Sequence, residues 1–155
     1  KSMHYVGLAF DLSLATGMQN HKTDPYIVVK KEDRMWEVWC RTDEKSVPVV
    51  ELMATTASTK GGKTSIKETK VKGRFFSFTE LAEQHGFYPI SARSSFFKGG
   101  SYTGAEWWHF QWEKGLDSGV SKFGNELLKI YELDRCKKFP YWNQVKGCVF
   151  GVDWF

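Results

Sequence analysis

The chain has 155 residues, which is the size of one domain built around a single core. Hydrophobic residues make up 41% of it and charged residues 26%, and these proportions are those of a soluble globular protein. The net charge of +4 is mild and no DNA- or RNA-binding signature accompanies it, so we expect no nucleic-acid partner. No stretch approaches the ~18 apolar residues that a membrane span requires.

The first predicted element is a strand over residues 3–14, which contains His4 and Asp11. A neutral imidazole nitrogen and a carboxylate oxygen are both good ligands for a divalent cation such as Zn²⁺. Residues an odd number of positions apart in a regular strand face opposite sides of it. His4 and Asp11 are seven positions apart. They could therefore share a metal only if the chain bends between them, and Gly7 is where a bulge or a close backbone approach is tolerated.

A polar loop follows, in which we interpret His21 and Asp24 as solvated loop residues rather than ligands. Period-two alternation and turn residues then predict an antiparallel meander. Its strands cover residues 26–29, 35–40, 47–56, 64–71 and 74–78, with turns at 32–34, 61–62 and 72–73. The lysines within residues 60–72 are interleaved with Thr, Ser and Ile, which indicates the solvated face of a strand.

One short helix is predicted over residues 79–86, capped by Ser77 or Thr79 and ended by Gly86. A loop rich in Ser and Gly follows over residues 91–103, and Arg93 is its only strong anion-binding group. The position of Arg93 is compatible with two roles. It could be an exposed loop residue, or it could bind a carboxylate of the substrate. Helical spacing of apolar residues predicts a second helix over residues 121–133, and a strand-like aromatic tail covers 139–155.

Glu106 precedes His109 by three residues in an aromatic, strand-like run. A catalytic zinc site usually has three protein ligands and one open position for water, with a carboxylate nearby as general base. His4, Asp11 and His109 supply three ligands, and Glu106 supplies the base. For Glu106 and His109 to reach one metal region, Glu106 must lie at the entrance of the strand, where the loop at 99–104 lets the backbone turn.

Two short motifs resemble the signature of a known family. They are Ser2-x-His4-x-x-Gly7-x-Ala9-x-Asp11 and Glu106-Trp107-Trp108-His109. This pair is similar to the paired signature of the M15 peptidases, which include zinc D-Ala-D-Ala carboxypeptidases and dipeptidases and phage L-alanyl-D-glutamate endolysins. The Glu-Trp-Trp-His form most resembles the D-Ala-D-Ala dipeptidase branch. These enzymes share a fold with the hedgehog signalling domain and with lysostaphin-type enzymes.

The resemblance implies a zinc-dependent hydrolase that cuts peptide bonds of peptidoglycan, with D-Ala-D-Ala and L-Ala-D-Glu bonds both open. It also implies that His4, Asp11 and His109 bind the zinc ion. Glu106 would then take a proton from the attacking water and pass it to the leaving amine.

Four residues are candidates for contact with the substrate. The resemblance suggests that Ser2 contacts the substrate near the metal. Trp107 and Trp108 alternate across the predicted strand, so at most one is expected to face the cleft while the other packs into the core. Arg93 is the candidate for binding a substrate carboxylate.

We predict an α+β fold, an antiparallel β-sheet with a few short helices packed on one side, in a single catalytic domain over residues 1–155. The resemblance implies the hedgehog and D-Ala-D-Ala peptidase arrangement. That family carries a substrate-orienting arginine before the first motif, whereas only Lys1 precedes Ser2 here. We therefore expect further sequence upstream. We expect the protein in the periplasm, at the cell wall or delivered by a phage, although this chain has no targeting signal.

Two other classes of function stay open. The domain could be a zinc-bearing binding module that has lost catalysis, although a module of that kind has no need of a base at Glu106. It could also be a cell-wall-binding domain that works through aromatic surfaces, since the chain has seven Trp, twelve Phe and six Tyr.

Cysteine usage leaves the redox compartment open. Cys40, Cys136 and Cys148 are an odd number of thiols without the spacing of a metal site. A Cys136–Cys148 disulfide and buried free thiols are both compatible with the sequence, and the oligomeric state is likewise open.

Overall fold

Two antiparallel sheets and a few short helices make up residues 3–112 and 123–138, which are the residues that this computed structural model describes. The strands are β1 (Ala9–Asp11), β2 (Tyr26–Lys30), β3 (Trp36–Arg41), β4 (Val49–Lys60), β5 (Lys63–Ser77), β6 (Tyr88–Pro89) and β7 (His109–Gln111). The α-helices are α1 (Phe78–Gln84), α2 (Phe123–Ile130) and α3 (Leu133–Lys137), and 3₁₀ helices cover Met3–Val6, Glu32–Arg34, Phe96–Lys98 and Tyr102–Ala105. The predicted α+β class with antiparallel pairing is confirmed, but there are two sheets where one was expected.

The larger sheet closes on itself in the order β2-β3-β5-β4. Val28 pairs with Val38 on one face of β2 and β3, and Ile27 pairs with Trp39 on the other. Because side chains alternate along a strand, Val28 and Val38 pack into the main core while Ile27 packs into a second cluster with Ala54. Both faces of β2 are therefore covered, which accounts for its short, uninterrupted apolar sequence.

A long hairpin, β4 and β5, forms half of that sheet. Gly61 and Gly62 make its two-residue turn with φ of +57° and +75°, as the sequence predicted. The turn predicted at residues 72–73 is wrong, because β5 runs through Gly73 and pairs it with Val50. The local pattern suggested a break at this glycine, but cross-strand hydrogen bonding keeps the strand extended. The lysines between 60 and 72 are exposed, as predicted.

The smaller sheet has the order β1-β7-β6. Its register places Asp11 opposite His109, Phe10 opposite Phe110 and Ala9 opposite Gln111. Phe10 stacks on Phe110 with ring centroids 5.5 Å apart and an interplanar angle of 9°. These rings belong to the main core, so the alternate residues of β1 and β7 project to the other side.

The main core joins the two sheets. It contains Met18, Val28, Trp36, Val38, Ala82, Ala92, Phe96, Ala105, Trp107, Trp108 and Phe110. A cross-link within it runs from Nε1 of Trp36, on β3, to the backbone carbonyl of Ala105 at 2.6 Å. This bond connects the closed sheet to the segment that leads into β7.

The helices follow their predicted chemistry. Ser77 caps α1, since its hydroxyl accepts a hydrogen bond from the backbone N–H of Glu80 at 3.1 Å. The helix predicted over residues 121–133 is observed as α2, followed by α3. No helix among the described residues is long and apolar enough to cross a membrane. The strand predicted over 139–155 lies outside the described residues, as does Cys148.

Gly17 allows the packing of the core to be tested. Its φ is +81°, and a Cβ placed there would lie 2.4 Å from Cη2 of the fully buried Trp107. Gly62 has a similar φ of +75°, but a Cβ there would meet nothing within 4 Å. Gly62→Ala should therefore lower the free energy of unfolding by about 1 kcal/mol, and Gly17→Ala should lower it by about 1–3 kcal/mol more through overpacking.

Urea unfolding of both variants beside the parent protein measures this difference. Equal losses in the two variants would mean that the indole of Trp107 moves aside without cost, contrary to the packing described.

Candidate metal centre

Three side chains converge at one end of β1 and β7. The nearest ligand atoms of His4, Asp11 and His109 all lie within 4.8 Å of one another. Oδ1 of Asp11 is 3.3 Å from Nε2 of His4 and 3.0 Å from Nδ1 of His109. The three residues could therefore hold a metal ion, as the sequence predicted.

A bend in the chain brings His4 and Asp11 together. The strand predicted over residues 3–14 is wrong in its first half, because Met3–Val6 is a 3₁₀ helix and β1 begins only at Ala9. Gly7 turns the chain between them with φ of +71°, which is the bend that a shared metal required. Its backbone N–H donates to the carbonyl of His4 at 3.2 Å.

His109 joins the pair through the register of β7 against β1, from 98 residues further along the chain. Its side chain is only 4% exposed, whereas that of Asp11 is 42% exposed. The cluster therefore has one side closed by the protein and one side open to solvent. A site that must admit a substrate needs this arrangement.

The donor set fits a cation. Nδ1 of His4 lies 3.1 Å from the backbone carbonyl of Ala9, and a carbonyl oxygen can only accept a hydrogen bond. In the neutral imidazole the hydrogen is therefore on Nδ1, and Nε2 directs a lone pair toward the carboxylate of Asp11. Two lone pairs at this distance repel one another unless a positive charge lies between them. A ligand histidine with its other N–H on a carbonyl is the usual arrangement in metal sites.

Glu106 lies just before β7, as predicted, and outside the ligand cluster. It has a left-handed backbone with φ of +54°, and its carbonyl accepts a hydrogen bond from the N–H of His109 at 3.1 Å. The resulting turn brings Glu106 and His109 to the same end of the strand. Its carboxylate is only 10% exposed, so this ionisable group is held close to the core.

Arg93 pairs with that carboxylate. Its Nε donates to Oε1 of Glu106 at 2.9 Å, while 66% of its side chain stays exposed. The backbone N–H of Arg93 donates to Gly104 at 2.8 Å, which fixes the base of the side chain. Arg93 was predicted as an anion-binding residue, but its pairing with Glu106 was not. The two are 13 residues apart in irregular segments, so no periodicity signals the contact.

Both tryptophans of the second motif belong to the core. The predicted alternation across a strand is wrong, because residues 107 and 108 form a turn and β7 begins at His109. Trp107 is fully buried, with its Nε1 donating to the Tyr102 hydroxyl at 3.1 Å, and Trp108 is 5% exposed. Neither ring faces solvent, so neither offers a stacking surface to a substrate. Ser2 lies outside the described residues.

Gln111 was missed by the sequence prediction. Its Oε1 lies 3.1 Å from Nε2 of His109, and both side chains are buried. The available signal was the spacing of two residues along a strand, which places both side chains on one face.

Cys40 has little thiolate character at neutral pH. Its thiol is free and half-buried, and burial raises its pKa to about 11. The reactive thiolate is therefore scarce.

One surface depression among the described residues has a different lining. A cavity of about 420 Å³ is lined by Lys30, Lys31, Glu32, Asp33, Arg34, Ser94, Phe97 and Lys98. All of these side chains except Phe97 are exposed, and the lining includes charges of both signs. None belongs to the metal cluster.

No protein-family model, curated protein or solved structure matches the chain. Function is therefore inferred from the geometry of these residues together with the motif resemblance.

The cluster should bind one divalent transition-metal ion. His4→Ala, Asp11→Ala and His109→Ala should each weaken binding by more than the roughly 10–100-fold that the loss of an outer hydrogen-bond partner costs. Calorimetric titration with Zn²⁺ measures this, and Mg²⁺ should bind poorly because it prefers six oxygen ligands. Metal addition should also raise the melting temperature, and a chelator should reverse that rise.

The exposed His85, at the C-terminal end of α1, provides the control. His85→Ala should bind the ion like the parent protein. If His85→Ala weakened binding as much as His4→Ala, the metal would be held non-specifically.

The Arg93–Glu106 pair should contribute measurably to stability. Arg93→Met should cost about 1–3 kcal/mol, because it leaves a largely buried carboxylate without its partner. Adding Glu106→Gln should recover part of that loss, which a double-mutant cycle on urea unfolding detects.

The Lys70–Glu51 pair is a matched control, since it has the same 2.9 Å separation but both side chains are more than half exposed. Its coupling energy should be much smaller. Equal couplings in the two cycles would show that the burial of Glu106 has no energetic consequence.

Proposed function

We propose that this protein is a zinc-dependent peptidase that hydrolyses peptide bonds in peptidoglycan. One observation carries the proposal. His4, Asp11 and His109 converge at one end of β7, and Glu106 lies at that same end of the strand. Two imidazoles and one carboxylate favour zinc over magnesium or calcium, which prefer oxygen ligands alone. The three-ligand set leaves room for a water molecule and a substrate.

The residues of the chain would divide the chemistry as follows. A zinc ion held by the three ligands would act as a Lewis acid toward the water and the scissile carbonyl. Arg93 binds Oε1 of Glu106, which leaves Oε2 to accept a proton from the attacking water. As the carbon–nitrogen bond breaks, Glu106 would return that proton to the leaving amine. No net proton is gained or lost by the carboxylate.

The substrate class rests on the motif resemblance, and Arg93 suits it. The stem peptides of peptidoglycan carry carboxylates, and the terminal nitrogens of an exposed guanidinium can bind one in a bidentate manner. Arg93 uses Nε for Glu106, so both terminal nitrogens remain for this role. The D-Ala-D-Ala and L-Ala-D-Glu bonds are both candidates, and Ser2 is proposed to contact the substrate near the metal. The cell envelope is the expected location.

A metal-bearing binding module without catalysis is the second candidate. It is favoured by the burial of Glu106 and its ion pair with Arg93, because a carboxylate held in this way also serves to fix the turn before β7. A module that binds cell wall through aromatic faces has less support, since Trp36, Trp107 and Trp108 are buried.

Glu106→Gln separates the two candidates. The substitution keeps the size of the side chain but removes the basic oxygen, so turnover of purified muropeptides should fall by about 10²-fold or more. Zinc content should not change, because Glu106 is not one of the clustered ligands. Mass analysis of the products measures turnover and also identifies the bond that is cut.

Glu83→Gln, on the exposed side of α1, is the matched control and should keep full activity. Normal turnover by Glu106→Gln would place the base elsewhere. A parent protein that binds zinc and cleaves no muropeptide would favour the binding module.

A further inference from the structure

We propose that Gln111 is a positioning residue of the metal centre, and that its side-chain carbonyl selects the nitrogen with which His109 binds the ion. The inference rests on the metal site of the proposed function, but it does not depend on peptidase activity.

The geometry places Gln111 and His109 on one face of β7. They are two residues apart on the strand, and Oε1 of Gln111 lies 3.1 Å from Nε2 of His109. Gln111 is fully buried, and His109 is 3% exposed. Water therefore has little access to Nε2, and the amide oxygen lies within hydrogen-bond distance of this nitrogen.

An amide oxygen can only accept a hydrogen bond, so this contact requires the ring hydrogen to be on Nε2. Nδ1 then carries the ring lone pair, and it is Nδ1 that lies 3.0 Å from Oδ1 of Asp11 within the ligand cluster. Gln111 thus orders the ring so that the nitrogen on the metal side is the one able to bind a metal.

The other tautomer of His109 explains why an acceptor at Nε2 is needed. With its hydrogen on Nδ1, His109 would donate directly to Asp11 at the same 3.0 Å separation. That hydrogen bond would occupy two of the three ligands at once. With the Gln111 amide in the orientation described, its oxygen disfavours this state, because it would face a nitrogen lone pair instead of an N–H.

The same arrangement recurs on the other histidine. Nδ1 of His4 meets the backbone carbonyl of Ala9, so both ligand histidines have their outer nitrogen on a carbonyl oxygen. Ala9 is paired with Gln111 across β1 and β7. The two carbonyl oxygens that contact the ligand histidines therefore come from one pair of opposite residues in the sheet. A backbone carbonyl is not changed by substitution, which makes Gln111 the position where this design can be tested.

The first measurement needs no variant. Proton–nitrogen correlation spectra of the nitrogen-15-labelled protein loaded with Zn²⁺ report which nitrogen of each histidine ring carries hydrogen. We expect His109 to have its hydrogen on Nε2, with its signals assigned by their loss in His109→Ala. A hydrogen on Nδ1 of His109 would overturn the proposal.

The second measurement is zinc affinity by competition with a chromophoric chelator. Gln111→Met keeps the length of the side chain but removes the amide oxygen, and it should weaken zinc binding by about 10–100-fold. Gln111→Glu restores an oxygen acceptor and should bind within a few-fold of the parent protein. Ile27→Ala, at a fully buried position in the second cluster of the closed sheet, should lose stability while its zinc affinity stays unchanged.

The outcomes separate this proposal from the proposed function. Parent-like zinc affinity in Gln111→Met overturns the role of Gln111, whatever the activity. If Gln111→Met binds zinc more weakly but the parent protein cleaves no muropeptide, the positioning role of Gln111 is supported. In that case only the peptidase function is rejected. A parent protein that binds no zinc overturns the metal centre and this proposal with it. If Gln111→Met does not fold, the tautomer in the parent protein and the affinity of Gln111→Glu decide.

Discussion

The pairing of β1 with β7 is the constraint on which the candidate site depends. Asp11 lies opposite His109 across this ladder, and a shift of one residue would turn one of the two to the other face. The register is held from the core side, where Phe10 stacks on Phe110. Backbone bonds extend it at both ends, from Leu12 to the Trp108 carbonyl at 2.9 Å and from Trp112 to the Leu8 carbonyl at 2.8 Å. Aromatic packing on one face of the sheet thereby positions the side chains of Asp11 and His109 on the other face.

The closed sheet supports the site from behind. Trp36, on β3, holds the Ala105 carbonyl directly before the left-handed turn at Glu106. A non-glycine residue with positive φ is strained by about 1 kcal/mol or more, and such strain persists only where surrounding contacts enforce it. Here those contacts are the Trp36 bond and the Arg93 ion pair. The strain is localised at the residue that the proposed mechanism uses as its base.

Solvent access differs across the cluster in a way that suits either a catalytic or a binding role. His109 is closed off by the core, and its outer nitrogen meets Gln111 there. His4 and Asp11 stand on the open side, where an ion, water and a ligand can enter. The Arg93–Glu106 pair is where the two candidate functions differ, since the same ion pair can orient a base or simply fix a turn.

Several local features of this protein could be predicted from neighbouring residues. Period-two alternation located β2 and β3, the glycine pair located the hairpin turn, and Ser77 located the start of α1, because each depends on neighbouring residues alone. Motif spacing predicted that His4, Asp11 and His109 form one group, and these three residues lie together and could hold a metal ion. Long-range contacts in the fold, by contrast, extend β5 through Gly73, divide the strands into two sheets and bury both motif tryptophans. The contacts of Arg93 and Gln111 were decided in the same way, because partners brought together by long-range strand pairing and irregular turns leave no local periodicity in the chain.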